Sequence, residues 1–242
     1  MMKCIFLAAG YATRLYPLTE NFPKPLLKIK GKTIIDWLID DLEIIGIFEQ
    51  YVVVTNNKFY CVFQNWKNNH KYKGKIILVN DGTNSNETRL GAVKDLNLAV
   101  KILKLNEDLF VMASDNILDF SLKGFVDFSI THNYSCVMTY EELDENNIRK
   151  TASVELDVNH RVTKFIEKPI NISSCWCCPP FYFYKKHDLS LLDSFVISNS
   201  GIDAPGHFAA YVQSKSQLYA YKMPGKRYDI GDMESYNKVN EK

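Results

Sequence analysis

The chain of 242 residues lacks any membrane-length apolar run, and no membrane-spanning helix is expected. It also lacks net charge. Its 29 Lys and Arg against 28 Asp and Glu leave only +1, which argues against a broad nucleic-acid surface. Six cysteines are too few for a disulfide scaffold. The opening apolar run, residues 4–9, is too short for a secretory signal and leads into Gly10, Thr13 and Arg14. A soluble, cytoplasmic protein with its thiols reduced is therefore expected. No internal repeat and no Gly/Ser-rich or Pro-rich linker divides the chain, so a single domain over 1–242 is expected.

Two kinds of apolar segment alternate through the first half. Residues 4–9, 51–55, 75–79 and 109–113 are short, β-rich and nearly continuous, as buried strands are. Between them lie helical stripes: Ile34, Ile35, Leu38, Ile39, Leu42 and Ile45; Phe59, Val62, Phe63 and Trp66; Leu90, Val93, Leu96, Val100 and Leu103. Thr33 and Asp36 have the spacing of a capping box. Strand and helix in alternation predict an α/β fold, with a mostly parallel central sheet and helices on both faces. Ligands of such sheets sit beyond the carboxyl ends of the strands. The second half is less regular. Strands are expected at 135–140, 151–156, 161–165, 181–184 and 217–221, and a hairpin turn at 157–160. Helices are expected at 188–196, 206–212 and 234–239.

After the first strand come Leu7, Ala8, Ala9, Gly10, Tyr11, Ala12, Thr13 and Arg14. Small residues let a ligand approach the backbone, whose amides can bond a base or phosphate. Arg14, and Lys24 between Pro23 and Pro25, supply two cations that suit a triphosphate. A solvated βα turn fits the same residues. Gly31-Lys32-Thr33 lacks the earlier glycine of a Walker loop, and the segment from Gly10 lacks the later glycines of a dinucleotide fingerprint. Asp115 follows a buried strand, where a carboxylate must be solvated, paired or metal-bound. Asp229 is the natural second oxygen donor for Mg²⁺, which takes one or two carboxylates plus phosphates. Glu167 and Lys168 stand at a strand end, which on its own reads as an exposed terminus. Cys175, Cys177 and Cys178 do not have zinc-site spacing.

Taken together these motifs resemble the sugar-1-phosphate nucleotidyltransferase family. The family's opening Leu-Ala-x-Gly-x-Gly-Thr-Arg-Leu-x-Pro-Leu-Thr, followed by Pro-Lys-Pro, matches residues 7–25, with Ala12 in place of a usual glycine. The match resumes at Gly91-Ala92, Asp115-Asn116, Glu167-Lys168-Pro169 and Asp229-Ile230-Gly231. The resemblance implies a Rossmann-like nucleotidyltransferase fold with a smaller, β-rich acceptor-binding part; the nucleotide-binding half would run over about 1–116 and the acceptor-binding half over about 117–242. It implies that Arg14 holds the β- and γ-phosphates, Lys24 the α-phosphate, and Asp115 and Asp229 the Mg²⁺. Leu7, Ala8, Ala9, Gly10 and Thr13 would frame the nucleotide's base and ribose, with Asn80 and Gly91 as further members of that set. Lys168 would hold the acceptor's phosphate, with Glu167 and Tyr182 beside its sugar.

The implied reaction transfers a nucleotidyl group from a nucleoside triphosphate to a phosphorylated acceptor, releasing pyrophosphate. Glucose 1-phosphate with dTTP or UTP is the first expectation. Cys178-Pro179-Pro180-Phe181-Tyr182 stands where the family commonly has Asn-Ala-Gly-Ile-Tyr, and Arg227 replaces a common Trp. These departures leave open a cytidylyltransferase acting on phosphocholine or another small phosphate. A glycosyltransferase of related architecture and a nucleotide-binding regulatory subunit without catalysis are further alternatives. No nucleic acid or membrane partner is expected. Relatives are often dimers or tetramers, but no interface is legible in the residues.

Overall fold

A computed structural model describes residues 2–198 and 203–241. The elements run β1 (Met2–Leu7), β2 (Lys28–Ile29), β3 (Lys32–Thr33), α1 (Ile34–Ile45), β4 (Phe48–Thr55), α2 (Tyr60–Asn69) and β5 (Ile76–Asn80). They continue with α3 (Ala92–Ile102), β6 (Leu109–Ala113), β7 (Asn116–Leu118), α4 (Lys123–Thr131), β8 (Ser135–Glu141), α5 (Glu145–Ile148), β9 (Ala152–Leu156) and β10 (Val162–Glu167). The chain closes with β11 (Trp176–Cys178), β12 (Phe181–Tyr184), α6 (Lys186–Leu189), α7 (Leu192–Ser198), α8 (Gly206–Lys215), β13 (Leu218–Lys222), β14 (Arg227–Asp229) and α9 (Met233–Glu241). This is the mixed α/β class expected from the alternating pattern. Among the described residues no helix is long and apolar enough to cross a membrane.

Two compact units divide the chain. One comprises residues 1–90, 112–122 and 225–242; the other comprises 91–111 and 123–224. In the first unit β1, β4 and β5 are parallel, with Leu7 opposite Val54 and Thr55 opposite Asn80. Cys4, Ile5 and Phe6 are wholly buried, which accounts for the apolar run that begins at Cys4 in β1. The α1 stripe Ile34, Ile35, Leu38, Ile39 and Leu42 is buried as its spacing predicts, each side chain contributing about 1.5–3 kcal/mol. Gly46, at φ 80°, ends the helix, and its N–H donates to the Leu42 carbonyl. Thr33 and Asp36 do not form the expected capping box. Thr33 is the cap residue, but its hydroxyl makes no capping bond, and Asp36 Oδ1 accepts instead from Trp66 Nε1 at 3.1 Å.

The second unit is built on an antiparallel sheet in the order β10-β9-β11-β8-β12, with β13 added parallel to β8. The hairpin between β9 and β10 forms as expected. Asp157 Oδ1 accepts from the Asn159 and Arg161 amides, and His160 takes φ 61°. The single helix expected over 188–196 is two short ones. Asp188 is drawn into the interior, where its carboxylate accepts from Ser135 Oγ at 2.5 Å and Ser216 Oγ at 2.7 Å. The chain turns after it.

Candidate active site

Four segments far apart in sequence meet in the first unit because their apolar residues share one cluster. Leu15, Leu27, Ile29, Ile34, Ile117, Ile230 and Val239 are buried together, with Ala12 and Tyr228 packed on them. Leu15 follows Arg14, Ile117 lies two residues past Asp115, and Ile230 follows Asp229. Burying the apolar neighbour thus fixes where each charged residue stands. A three-residue ladder completes the arrangement. β14 pairs antiparallel with β7, Asp229 lies opposite Asn116, and the Ile230 N–H donates to the Asp115 carbonyl at 3.1 Å.

Lys24 is inserted into this ladder. Its Nζ lies 2.6 Å from Asp115 Oδ2 and donates to the Ile230 carbonyl at 2.6 Å. Its side chain is 11% exposed, and that of Asp115 is 28% exposed. Arg227 Nη1 donates to Asn116 Oδ1 at 2.6 Å and lies 3.4 Å from Asp229 Oδ2; Asn116 Nδ2 donates to Asp115 Oδ1 at 2.7 Å. The two carboxylates are pulled in opposite directions. Burial pushes Asp115 up, but the charge and hydrogen bond of Lys24, and then Arg227, hold it below its ordinary value. Burial and then the charge of Asp115 push Asp229 up, against Arg227 and Lys24. An ammonium has three N–H bonds, and among the described residues Lys24 uses two of them. The Arg14 guanidinium is exposed, with Nη2 3.9 Å from where a Cβ on Gly231 would stand.

Loops at the carboxyl ends of β1, β4 and β5 frame the same end of the unit. Wholly buried Asn56 donates to the Ala9 carbonyl at 2.9 Å and accepts from the Phe59 amide at 2.9 Å, fixing one loop on the other. Tyr11 and Thr83 hydroxyls are bonded at 3.0 Å, and Ser114 Oγ donates to the Leu7 carbonyl at 2.8 Å. Asn80 donates to Asn57 Oδ1 and accepts from the Gly82 amide. Ala8 and Ala9 are buried, Thr13 is exposed, and a Cβ on Gly10 would meet nothing within 4 Å, so the space over that backbone is open among the described residues.

Ala12, the residue in place of the family's glycine, keeps a glycine's conformation: φ is 47° and ψ 44°. Its carbonyl accepts from Thr19 Oγ1 at 2.8 Å. A methyl in the left-handed region costs roughly 1–2 kcal/mol, partly offset by the freer unfolded chain that glycine gives. Ala12→Gly is therefore expected to raise stability by about 0.5–1 kcal/mol. A lowered melting temperature in a thermal scan would contradict this.

The remaining expected site residues lie in the second unit. Gly91, at φ 91°, caps α3, where the Ala92 amide donates to the Asp203 carbonyl at 2.9 Å. Glu167 ends β10 half-buried; burial raises its carboxyl, against the charges of His207 and Lys168. Lys168 is exposed and takes φ 49°, a conformation that non-glycine residues adopt at some cost, and its N–H donates to the Thr151 carbonyl at 3.0 Å. Tyr182 is buried in β12, with its ring stacked on Tyr184 at 5.6 Å.

The family model described as "Nucleotidyl transferase" matches residues 3–242. The chain belongs to the nucleotidyl transferase family. A mannose-1-phosphate guanyltransferase of Pichia angusta is 28% identical over 236 residues, which are 97% of this chain and 62% of that protein. Mannose-1-phosphate guanylyltransferase 1 of Arabidopsis thaliana is 31% identical over 238 residues, 97% of this chain and 63% of that protein. The chain thus spans less than two thirds of the length of these curated relatives. A solved structure of UDP-glucose pyrophosphorylase complexed with UDP-glucose has a TM-score of 0.81 at 20% identity, covering 100% of this chain and 97% of that one, and shows the shared fold.

Several site features had no signal in the sequence. Asn56, Tyr11, Thr83 and Ser114 act through hydrogen bonds between loops, which leave no periodicity. The Ile230 carbonyl that holds Lys24 is a backbone group. Arg227 is conspicuous in the sequence as a departure from the family, and its position between Asn116 and Asp229 explains how a cation is accommodated there.

Proposed function

We propose that this chain transfers a nucleotidyl group from a nucleoside triphosphate to a sugar 1-phosphate, releasing pyrophosphate. The observation that carries the proposal is Lys24 bonded at 2.6 Å to both Asp115 and the Ile230 carbonyl, in the ladder that sets Asp229 opposite Asn116. Phosphoryl-type transfer needs little covalent work from the protein. Catalysis is positioning and charge neutralisation, and a sugar 1-phosphate is already an anionic nucleophile. Arg14 and the third N–H of Lys24 would bind phosphate oxygens of the triphosphate. The loops from Leu7 to Thr13 and at Asn80 would frame its base and ribose, with Gly91 assigned to the nucleotide as well. Glu167, Lys168 and Tyr182 would serve the acceptor.

The donor set fits Mg²⁺. Asp115 and Asp229 are oxygen donors, and Asp229 is raised first by burial and then by the charge of Asp115, both of which a divalent cation would offset. When bound there, the ion would neutralise charge on the triphosphate.

The sequence relatives favour mannose 1-phosphate with GTP as the first pair to try. The fold relative favours glucose 1-phosphate with UTP, and dTTP completes the expected set. The test is a matrix of five triphosphates, CTP and ATP included, against mannose 1-phosphate, glucose 1-phosphate and phosphocholine with Mg²⁺. Pyrophosphate release and product mass are the readouts. A nucleoside-diphosphate sugar is the expected product. Reaction of phosphocholine with CTP alone would favour the cytidylyltransferase reading, and no pyrophosphate from any pair would overturn the assignment.

A further inference from the structure

The first residue of α8 lies against the end of β10 more closely than a side chain permits. A Cβ built on Gly206 would overlap Glu167 Oε2, and would stand 3.1 Å from Glu167 Cδ and 3.3 Å from Phe165 Cε1. Phe165 and Glu167 are two residues apart on one strand, so both project to the face that α8 covers. Helix propensity does not ask for glycine here; alanine is better by about 1 kcal/mol inside a helix. The close approach of the carboxylate does ask for it. His207, the next residue, bonds through Nδ1 to the Ala204 carbonyl at 3.1 Å, and its charge favours ionised Glu167.

We propose that Gly206 is a positioning residue for acceptor binding: its missing side chain is the space into which the Glu167 carboxylate settles. The proposal rests on the reading of Glu167 as an acceptor ligand. A methyl at 206 does not collide with backbone. It displaces the tip of a flexible side chain, so the fold survives and the carboxylate moves. Displacing a binding group by about 1 Å can cost up to roughly 10²-fold.

The test is a double-mutant cycle of Gly206→Ala and Glu167→Ala, with mannose 1-phosphate and glucose 1-phosphate as acceptor probes. The acceptor is followed twice: by kcat and KM measured separately, and by calorimetric titration of each sugar phosphate onto protein saturated with an α,β-methylene triphosphate, which gives its affinity. Thermal melts check folding. Gly206→Ala alone is expected to weaken the acceptor about tenfold, leaving the triphosphate KM and the melting temperature nearly unchanged. In the Glu167→Ala background, where room has been made, the same substitution should change acceptor affinity less than about twofold.

Equal losses in both backgrounds would mean that Gly206 does not act through Glu167, and the proposal would fail. A Glu167→Ala protein with normal acceptor affinity would sink it too. If no pair turns over yet the calorimetric cycle shows the predicted non-additivity, the assigned reaction fails and the role of Gly206 stands. If turnover occurs without that non-additivity, the reverse holds. No binding of either probe to the unsubstituted protein would overturn both.

Discussion

Lys24→Ala is expected to lower turnover roughly 10²–10³-fold, the scale of removing one preorganised contact to the transition state. The substitution does two kinds of damage, and they can be separated. In the free protein, Lys24 neutralises Asp115 and caps the Ile230 carbonyl, both at 2.6 Å. Deleting it leaves a partly buried carboxylate short of its main cation, a loss of about 2 kcal/mol, below the 3–5 kcal/mol of a fully buried pair because Asp115 is 28% exposed. Lys24→Arg keeps the charge but replaces a compact ammonium by a planar fork that cannot occupy the same point. Stability should therefore recover further than turnover. Equilibrium unfolding in denaturant and pyrophosphate release, measured on both variants, decide the matter. Full turnover in Lys24→Ala would remove Lys24 from the machinery.

Asp115→Asn and Asp229→Asn should each cost a similar 10²–10³-fold in turnover, on the order of one lost transition-state contact, while their effects on stability differ in sign. The folded protein holds Asp115 below its ordinary value, so the charged form stabilises the fold above the unfolded-state value. The amide loses that contribution, and Asp115→Asn should melt lower at neutral pH. Asp229 is raised, so its charged form is disfavoured in the fold, and the penalty is present once pH exceeds the raised value. Asp229→Asn should melt no lower than the parent, and somewhat higher at neutral pH. A carboxylate that binds metal, as proposed for Asp229, would be kept at a cost to stability, a trade of function against folding. Equal destabilisation by the two variants would show that the pair is not polarised as described.

Much of the first unit was legible in the residues. The nearly continuous apolar runs at 4–9 and 51–55 mark the buried parallel strands β1 and β4, and the stripe of α1 marks its covered face. The loops beyond β1 and β6 follow from the rule that places ligands at strand ends. What was not legible is short or non-local. β7 and β14 are three residues each, too short for any periodicity, yet this ladder sets Asp229 opposite Asn116. α4 was also unread, although Phe125 and Val126 are fully buried on it. The break after Asp188 depends on two hydroxyls, Ser135 and Ser216, far away in the chain. The closeness of Gly206 to Glu167 is a matter of fractions of an ångström between a helix and a strand.

The common centre of Asp115, Asp229 and Lys24 is tested most directly by metal binding. Titration of Mn²⁺, as a paramagnetic probe for Mg²⁺, can be followed by electron paramagnetic resonance with an α,β-methylene triphosphate present. The parent protein should bind Mn²⁺ tightly only with the triphosphate, and both Asp115→Asn and Asp229→Asn should weaken that binding at least tenfold. Unchanged Mn²⁺ affinity in either variant would contradict a shared site.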